Sequence, residues 1–168
     1  MLSPDLEHGL DAAFSTAANT LDEQPALYIV SATDDEPTSE LSYLEVQLAV
    51  EALCSVLYYR FGVRRGDPVA LLTHGHAAAE VVAVLACVRI GAPFVPLDAS
   101  TDRNRMAAVV ADARPVAAVV VGRDDQDPRV TALTSLQTLY RCALVNEDGS
   151  CVLDDRCEPL PSVTPLRC

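Results

Sequence analysis

Three short apolar runs alternate with segments of helical periodicity, and this alternation most restricts the possible folds. The runs are Val69–Thr73, Pro93–Leu97 and Val116–Val121. Continuous apolar runs of this length are typical of strands that are covered on both faces. Strands that alternate with helices form parallel sheets with right-handed crossovers. We therefore predict an α/β fold in three layers, with alternating helices and a mainly parallel sheet of four or five strands.

The first long helix carries start and stop signals. Ser42 and Glu45 form an S-x-x-E capping box, which satisfies free backbone donors at a helix start. Gly62 fits the left-handed position that ends a helix. Between them an apolar stripe recurs at i, i+4, i+7 and i+11, at Val46, Val50, Leu53 and Leu57.

Further elements follow from periodicity and turn residues. A second helix is predicted from His76 to Ile90, ended by Gly91, and a third runs to about Asp112, capped by one of Ser100, Thr101 or Asp102. Outside this unit, a short helix is predicted around residues 10–18 and another near 134–140. Two hairpins are predicted, one pairing residues 25–30 with 40–43 and one pairing 142–146 with 150–153 across a Glu-Asp-Gly turn.

Composition indicates one soluble domain with a substantial core. The chain has 168 residues, 50% of them apolar, and a mean hydropathy of +0.20. No apolar stretch is long enough for a membrane span, and the acidic start, Met1–Glu7, lacks the apolar segment of a signal peptide. We therefore expect a cytoplasmic protein.

The net charge and the absence of lysine argue against several partners and mechanisms. The formal net charge is −12, which argues against binding to nucleic acid or to an anionic membrane surface. All 12 basic residues are arginine. A phosphate-loop lysine, a Schiff base and a lysine general base therefore have to come from outside this sequence.

The cysteines and histidines do not predict a metal site. Cys54 and Cys87 lie in apolar helical runs and are interpreted as core residues. The other cysteines have irregular spacings that do not favour zinc, at Cys142, Cys151, Cys157 and Cys168. His74 and His76 form the one local histidine pair, and we interpret them as part of a loop after a strand.

No catalytic set is recognisable from the residues alone. The dinucleotide, phosphate-loop, serine-hydrolase and zinc-protease motifs are absent. The acidic pairs at 34–35, 124–125 and 154–155 fall in predicted loops and are interpreted as solvated turns. Asp98 follows a strand, at the edge where open α/β sheets bind ligands, and we expect it to serve a turn or a helix cap. We assign no catalytic, cofactor-binding or metal-binding residue.

Four segments, in order, resemble the adenylate-forming (AMP-binding) enzymes, which include acyl-CoA synthetases, nonribosomal peptide synthetase adenylation domains and luciferases. Leu41–Val46 resembles L-[ST]-Y-x-E-L, and Gly62–Ala70 resembles G-V-x-x-G-D-x-V-A. Val88–Asp98 resembles L-K-A-G-x-A-Y-V-P-L-D, with Arg89 in place of the usual lysine. Arg105–Ala113 resembles the R-x6-D-A helix. The resemblance covers about residues 12–122, with a looser fit toward the end of the chain.

The resemblance implies a parent enzyme that activates a carboxylate with ATP and Mg²⁺ and passes the acyl group to a thiol such as phosphopantetheine or CoA. The Pro-Leu-Asp ending of the third motif is more similar to the amino-acid-activating branch. The family's later phosphate loop, its Y-G-x-T-E segment and its C-terminal lysine have no counterpart here. We therefore expect an inactive N-terminal fragment, truncated before the phosphate loop, without a cofactor of its own.

This resemblance divides the chain into three parts. Residues 1–24 are a lead-in with a short helix, 25–153 a partial adenylation domain, and 154–168 a proline-containing extended tail. The expected partner is the remainder of the adenylation domain, or a protein that covers the exposed sheet. Two alternatives stay open: a non-catalytic, stand-alone binding or interaction domain, and a flavodoxin-like nucleotide binder, for which residues 73–76 are a poor phosphate loop.

Overall fold

The computed structural model describes residues 9–29, 39–73, 77–98, 100–121, 142–145 and 151–153. Four α-helices are present in these ranges: α1 (Leu10–Leu21), α2 (Tyr43–Ser55), α3 (Ala77–Ile90) and α4 (Arg103–Ala113). The strands are β1 (Pro25–Ile29), β2 (Ser39–Ser42), β3 (Val69–Thr73), β4 (Phe94–Asp98), β5 (Ala117–Val121), β6 (Cys142–Val145) and β7 (Cys151–Leu153). The helix predicted near 134–140, the turn at 147–149 and the tail at 154–168 lie outside the described residues.

The strands form two sheets. The larger has five strands in the order β4-β3-β5-β6-β7. Its first three pairings, β4 with β3, β3 with β5 and β5 with β6, are parallel, and β7 is antiparallel to β6. The predicted mainly parallel sheet and the hairpin at its end are therefore confirmed. Strands β1 and β2 pair antiparallel in a separate sheet, as the predicted first hairpin requires.

The larger sheet is covered on both faces, which confirms the three-layer prediction. Side chains alternate along each strand, so successive residues face opposite layers. Val69 and Leu71 of β3 pack in the core that includes residues of α2 and α3. Ala70 and Leu72 pack in a second core, which includes Met106 of α4.

Helix α2 begins as its sequence predicts. The backbone N–H of Ser42 donates to the Glu45 carboxylate at 2.8 Å, and the backbone N–H of Glu45 donates to Ser42 Oγ at 3.2 Å. Two donors at the helix start are satisfied reciprocally in this way. The predicted stripe is buried, with 0 to 1% exposure, at Val46, Val50, Leu53 and Leu57.

The end of this helix differs from the prediction. After Ser55 the backbone widens into a π-helical turn, Val56–Arg60. In that turn the Phe61 N–H donates to the Val56 carbonyl, at 2.9 Å. Gly62 follows with φ of +70°, a left-handed conformation that glycine adopts without a steric penalty. The predicted stop at Gly62 is confirmed, whereas the widened turn was not foreseen.

Helices α3 and α4 also begin and end close to the residues that the sequence predicts. Asp102 caps α4, accepting a hydrogen bond from the Asn104 N–H at 2.9 Å. Gly91 follows α3 with φ of +74°, and a Cβ added there would lie 3.0 Å from Cγ of Arg65. The left-handed conformation favours glycine at that position, and the exposed Arg65 side chain would have to shift slightly to admit a Cβ. Among the described helices, none is long and apolar enough to cross a membrane.

Candidate functional site

The topology places a candidate ligand-binding edge at the carboxyl ends of β3 and β5. These strands are neighbours, with Val69 opposite Ala117. From β3 the chain continues to β4 on one side of the sheet, and from β5 it continues to β6 on the other side. Open α/β sheets bind ligands where such connections diverge. Thr73 and Val121 end the two strands at this edge.

The residues that would complete this edge are not among those described. His74 and His76 follow β3, and the segment 122–141 follows β5. The interpretation of the histidines as a loop pair therefore stays a prediction. Within the described ranges, no group of three or more His, Cys, Asp or Glu residues is placed to hold a metal ion.

Asp98 stands at the same edge and stabilises a turn. Its carboxylate accepts a hydrogen bond from the Ser100 N–H at 2.7 Å, and its carbonyl accepts from the Thr101 N–H at 2.9 Å. These bonds direct the chain from β4 toward the cap of α4. The turn role predicted for Asp98 is confirmed.

Two cysteines lie in the α2–α3 layer and do not have the properties of nucleophiles. Burial raises the pKa of the Cys87 thiol to about 12. Burial also raises the pKa of Cys54 to about 11, against a smaller opposing effect of Arg89. The Cys54 thiol donates to the Ala86 carbonyl at 3.5 Å. Because the thiolate is the reactive form, both residues act as packing groups, as predicted.

An apolar cavity of about 370 Å³ lies among α1, β1, α2 and α3. Phe14 and Tyr43 contribute two of its walls, with ring centroids 6.0 Å apart. The remaining lining is aliphatic except for Glu80. Such a lining suits an apolar group and offers no cluster of donors for phosphate. The sequence analysis missed this cavity because it depends on where α1 docks, which no local pattern specifies.

A cluster of charged side chains also escaped prediction. Arg89 Nε donates to Asp11 Oδ1 at 2.7 Å, and its Nη2 donates to Ser15 Oγ at 3.1 Å. Its Nη1 lies 3.7 Å from a carboxylate oxygen of Glu51. Arg89 therefore joins α3 to both α1 and α2. The sequence carries no signal for this cluster: every basic residue of the chain is arginine, so Arg89 does not stand out, although its guanidinium is what allows several donors to act at once.

This fold defines a class, the open α/β domains, which typically bind ligands at the carboxyl ends of their strands. The family profile described as "AMP-binding enzyme" matches residues 14–161. The chain therefore belongs to the AMP-binding, adenylate-forming enzyme family. The match extends past residue 122, where the clear sequence resemblance ended.

Individual relatives agree with this assignment. Over 112 residues the chain is 34% identical to enterobactin synthase component F of Escherichia coli (strain K12), an alignment that covers 67% of this chain and 8% of that protein. The crystal structure of IdnL1 superposes with a TM-score of 0.66 at 26% identity, covering 94% of this chain and 29% of that one. The chain thus spans a small part of the proteins it matches.

A more distant structure shares the fold. The acetoacetyl-CoA synthetase from Streptomyces lividans superposes with a TM-score of 0.67 at 23% identity, covering 81% of this chain and 21% of that one. The same α/β arrangement is therefore present in a protein of the acyl-CoA synthetase type.

The family implies ATP and Mg²⁺, and the described residues do not fit either group. The sequence contains no lysine, since all 12 Lys and Arg residues are arginine. The described ranges offer no cluster of metal-ligating side chains, and the cavity beside Phe14 has an apolar lining. No catalytic step is therefore derived from these residues.

Proposed function

We propose that this chain is the N-terminal part of an ATP-dependent carboxylate-activating ligase of the amino-acid-activating, nonribosomal-peptide-synthetase-like branch. The observation that carries the proposal is the 34% identity over 112 residues to enterobactin synthase component F. The third motif, which ends in Pro96, Leu97 and Asp98, supports the same branch. In the parent enzyme, ATP and a carboxylate would give an acyl-adenylate and pyrophosphate, with phosphopantetheine or CoA as acyl acceptor.

The part played by this chain is scaffolding. It builds the parallel sheet and fixes the carboxyl ends of β3, β4 and β5, while the phosphate donors and the catalytic lysine come from the remainder of the enzyme. In this proposal residues 25–153 are the partial adenylation domain, the 168-residue chain has no cofactor site of its own, and the protein acts in the cytoplasm. The remainder of the adenylation domain is its principal partner.

The edge strand β4 favours a second candidate, a non-catalytic domain that binds a protein partner. Among the described strands β4 pairs with β3 alone, and its Phe94 is 41% exposed. Edge strands with exposed apolar side chains are sites of association. Pro96 limits this edge, because proline supplies no backbone N–H for a further strand.

Sequencing the transcript across the codon for Cys168 separates the two candidates. For a ligase part, the reading frame continues into a Ser/Thr/Gly-rich loop ending in P-K-G and, later, into a lysine-bearing C-terminal domain. A stop codon directly after Cys168 contradicts the ligase proposal and favours the binding domain.

ATP–pyrophosphate exchange with a panel of amino acids tests the scaffolding role. The 168-residue chain is expected to give no exchange above background, and the product of the longer transcript, assayed beside it, to give exchange with one amino acid. Exchange by the short chain alone would overturn the assignment of its residues as scaffold.

A further inference from the structure

The outward face of α2 and of the π-helical turn that follows it exposes three large apolar side chains. Leu44, Leu48 and Tyr59 are 43%, 56% and 82% exposed. Their spacing of i, i+4 and i+15 places them on one stripe, opposite the buried stripe of the same helix. Ala52 and Ser55 lie on that stripe and are also exposed. Isolated exposed apolar residues are ordinary, but a continuous row along a helix is typical of an interaction surface.

The two ends of this stripe carry opposite charge. At the helix start, the Leu44 N–H donates to the Asp22 carbonyl at 2.9 Å, which holds the acidic turn at 22–23 against α2. The exposed acids there are Asp22, Glu23, Glu40 and Glu45. At the other end, the exposed bases are Arg60, Arg64 and Arg65. We name these groups the acidic end and the basic end.

One arginine of the basic end, Arg64, is ordered by contacts with an aromatic side chain. The guanidinium of Arg64 lies 4.0 Å from the ring centroid of Tyr58, and its Nη1 donates to the Tyr58 carbonyl at 2.8 Å. The rings of Tyr58 and Tyr59 meet edge to face, with centroids 5.0 Å apart. Tyrosine and arginine are the residue types that dominate binding energy at interfaces, and side chains that are already ordered lose less entropy on binding.

We propose that this stripe binds a second copy of the same chain, in an antiparallel, two-fold symmetric pairing of α2 helices. An antiparallel pairing sets the acidic end of each copy against the basic end of the other. It is self-complementary, as a two-fold interface must be. No other orientation of two copies along this stripe brings opposite charges together at both ends.

The spacing of the stripe fixes the register. Leu44 lies opposite Tyr59 of the second copy, and Leu48 lies opposite Ser55. Ala52 then falls next to the symmetry axis, where a small side chain allows two helices to approach closely. Glu51 is turned toward Arg89 of α3, 3.7 Å away, which reduces repulsion across the axis. From Leu44 to Tyr59 the contact extends about 22 Å, so the interface is at the small end of specific ones.

The charge of the whole chain argues against a nucleic acid as occupant. The basic end has three arginines and two neighbouring tyrosines, a combination that resembles a surface for single-stranded nucleic acid. The chain as a whole, however, carries a net charge of −12. The acidic end lies beside the start of α2 and would repel a phosphate backbone that follows the stripe. The same acidic end would attract the basic end of a second copy.

Sedimentation velocity of the 168-residue chain over roughly 1–500 µM tests the proposal directly. A concentration-dependent dimer is expected, and its dissociation constant is expected to rise several-fold as salt screens the charges at the two ends. Tyr59→Ala is expected to raise that constant about tenfold or more. Phe94→Ala, a control at an exposed aromatic side chain on the edge strand β4, is expected to leave it within twofold.

A charge exchange distinguishes this antiparallel pairing from any other. The variant Arg60→Glu changes the formal charge of the basic end from +3 to +1, and the double variant Glu23→Arg/Glu40→Arg changes that of the acidic end from −4 to 0. Each variant should therefore form homodimers more weakly than the unaltered chain. Mixed together, the two should form a heterodimer more tightly than either homodimer, because the intact acidic end of one variant then meets the intact basic end of the other. Arg105→Glu on α4, on the other side of the sheet, controls for net charge and should dimerise like the unaltered chain.

Three results would overturn the proposal. One is a chain that stays monomeric over the whole concentration range. Another is a dimer that is insensitive to both Tyr59→Ala and Arg60→Glu, which would lie on a different face. The third is the absence of a heterodimer in the mixture when circular dichroism shows both variants folded. Binding of single-stranded nucleic acid abolished by Tyr59→Ala, in a chain that does not dimerise, would assign the surface to that partner instead.

Discussion

Arg89 and Asp11, 78 residues apart in sequence, form an ion pair with 2.7 Å between Nε and Oδ1. The pair joins the first helix to the helix that follows strand β3. The Arg89 and Asp11 side chains are 19% and 37% exposed, so the pair is partly shielded from solvent. A charge-assisted hydrogen bond in such a setting contributes more than one between fully exposed groups.

The first prediction concerns this pair. Arg89→Ala is expected to lower the free energy of unfolding by about 1–2 kcal/mol, since it removes hydrogen bonds to both Asp11 and Ser15. Arg89→Lys should recover only part of the loss, because an ammonium cannot reproduce the two-sided donor geometry. Urea denaturation of each variant gives the values, with Arg105→Ala as an exposed arginine control.

A double-mutant cycle with Asp11→Ala isolates the pair itself. A coupling energy of about 0.5–1 kcal/mol between positions 11 and 89 is expected, discounted for the exposure of Asp11. Strictly additive effects of the two substitutions would show that the Asp11–Arg89 pair itself does not stabilise the docking of α1.

The second prediction concerns the capping box of α2. Ser42→Ala should cost about 1 kcal/mol in the free energy of unfolding, because it leaves the Glu45 N–H without its acceptor. Ser42→Asp should retain most of the stability, since aspartate is an equally good cap. Thermal unfolding followed by circular dichroism is sufficient, and equal losses in both variants would contradict a capping role.

The third prediction is a pH dependence at the same helix start. Hydrogen bonds from the backbone and the hydroxyl of Ser42 lower the pKa of Glu45 from its ordinary value of 4.5. A carboxyl with a lowered pKa in the folded state stabilises the protein above pH 4.5, and this contribution is lost as the pH falls through the lowered value. The stability difference between the unaltered chain and Glu45→Gln should therefore be present at pH 6 and shrink on acidification. A difference that stays constant down to pH 3 would contradict the bonding of Glu45 to Ser42.

Local sequence signals predicted the helices and strands, and where they begin and end, with little error. The capping residues Ser42 and Asp102 and the stops at Gly62 and Gly91 act through backbone hydrogen bonds within a few residues, so the information is local. Apolar periodicity likewise foretold which residues of α2 are buried. The alternation of strands and helices was then sufficient to predict the parallel sheet, because few chain topologies are compatible with such an alternation.

The contacts around the candidate site could not be predicted from local sequence signals. The Arg89 cluster, the cavity beside Phe14 and the stacking of Arg64 on Tyr58 all join residues through tertiary docking. The π-helical turn at Val56–Arg60 also has no local sequence signal in this chain. The sequence placed Asp98 at the ligand-binding edge of the sheet. It could not show that the candidate site lies between β3 and β5, because that position depends on the order of the strands in the sheet.

The fourth prediction compares two leucines of α2. Leu53 is fully buried and Leu48 is 56% exposed. Leu53→Ala should lower the free energy of unfolding by about 2–5 kcal/mol, because it opens a cavity between α2 and the sheet. Leu48→Ala, the matched control, should cost less than about 0.5 kcal/mol when measured in dilute solution. Similar losses from the two substitutions would show that α2 does not bury the face described here.

The last prediction concerns the two thiols of the α2–α3 layer. Because burial raises the pKa of Cys54 to about 11 and of Cys87 to about 12, neither should be alkylated by iodoacetamide at pH 8 in the folded chain. Both should react in urea, with mass spectrometry of the tryptic peptides locating the label. A raised pKa in the folded state also means that stability falls as the pH rises above the ordinary thiol value of 9.0. Cys87→Ala should weaken that alkaline loss between pH 9 and 11, whereas rapid labelling of Cys87 at pH 8 without urea would contradict its burial.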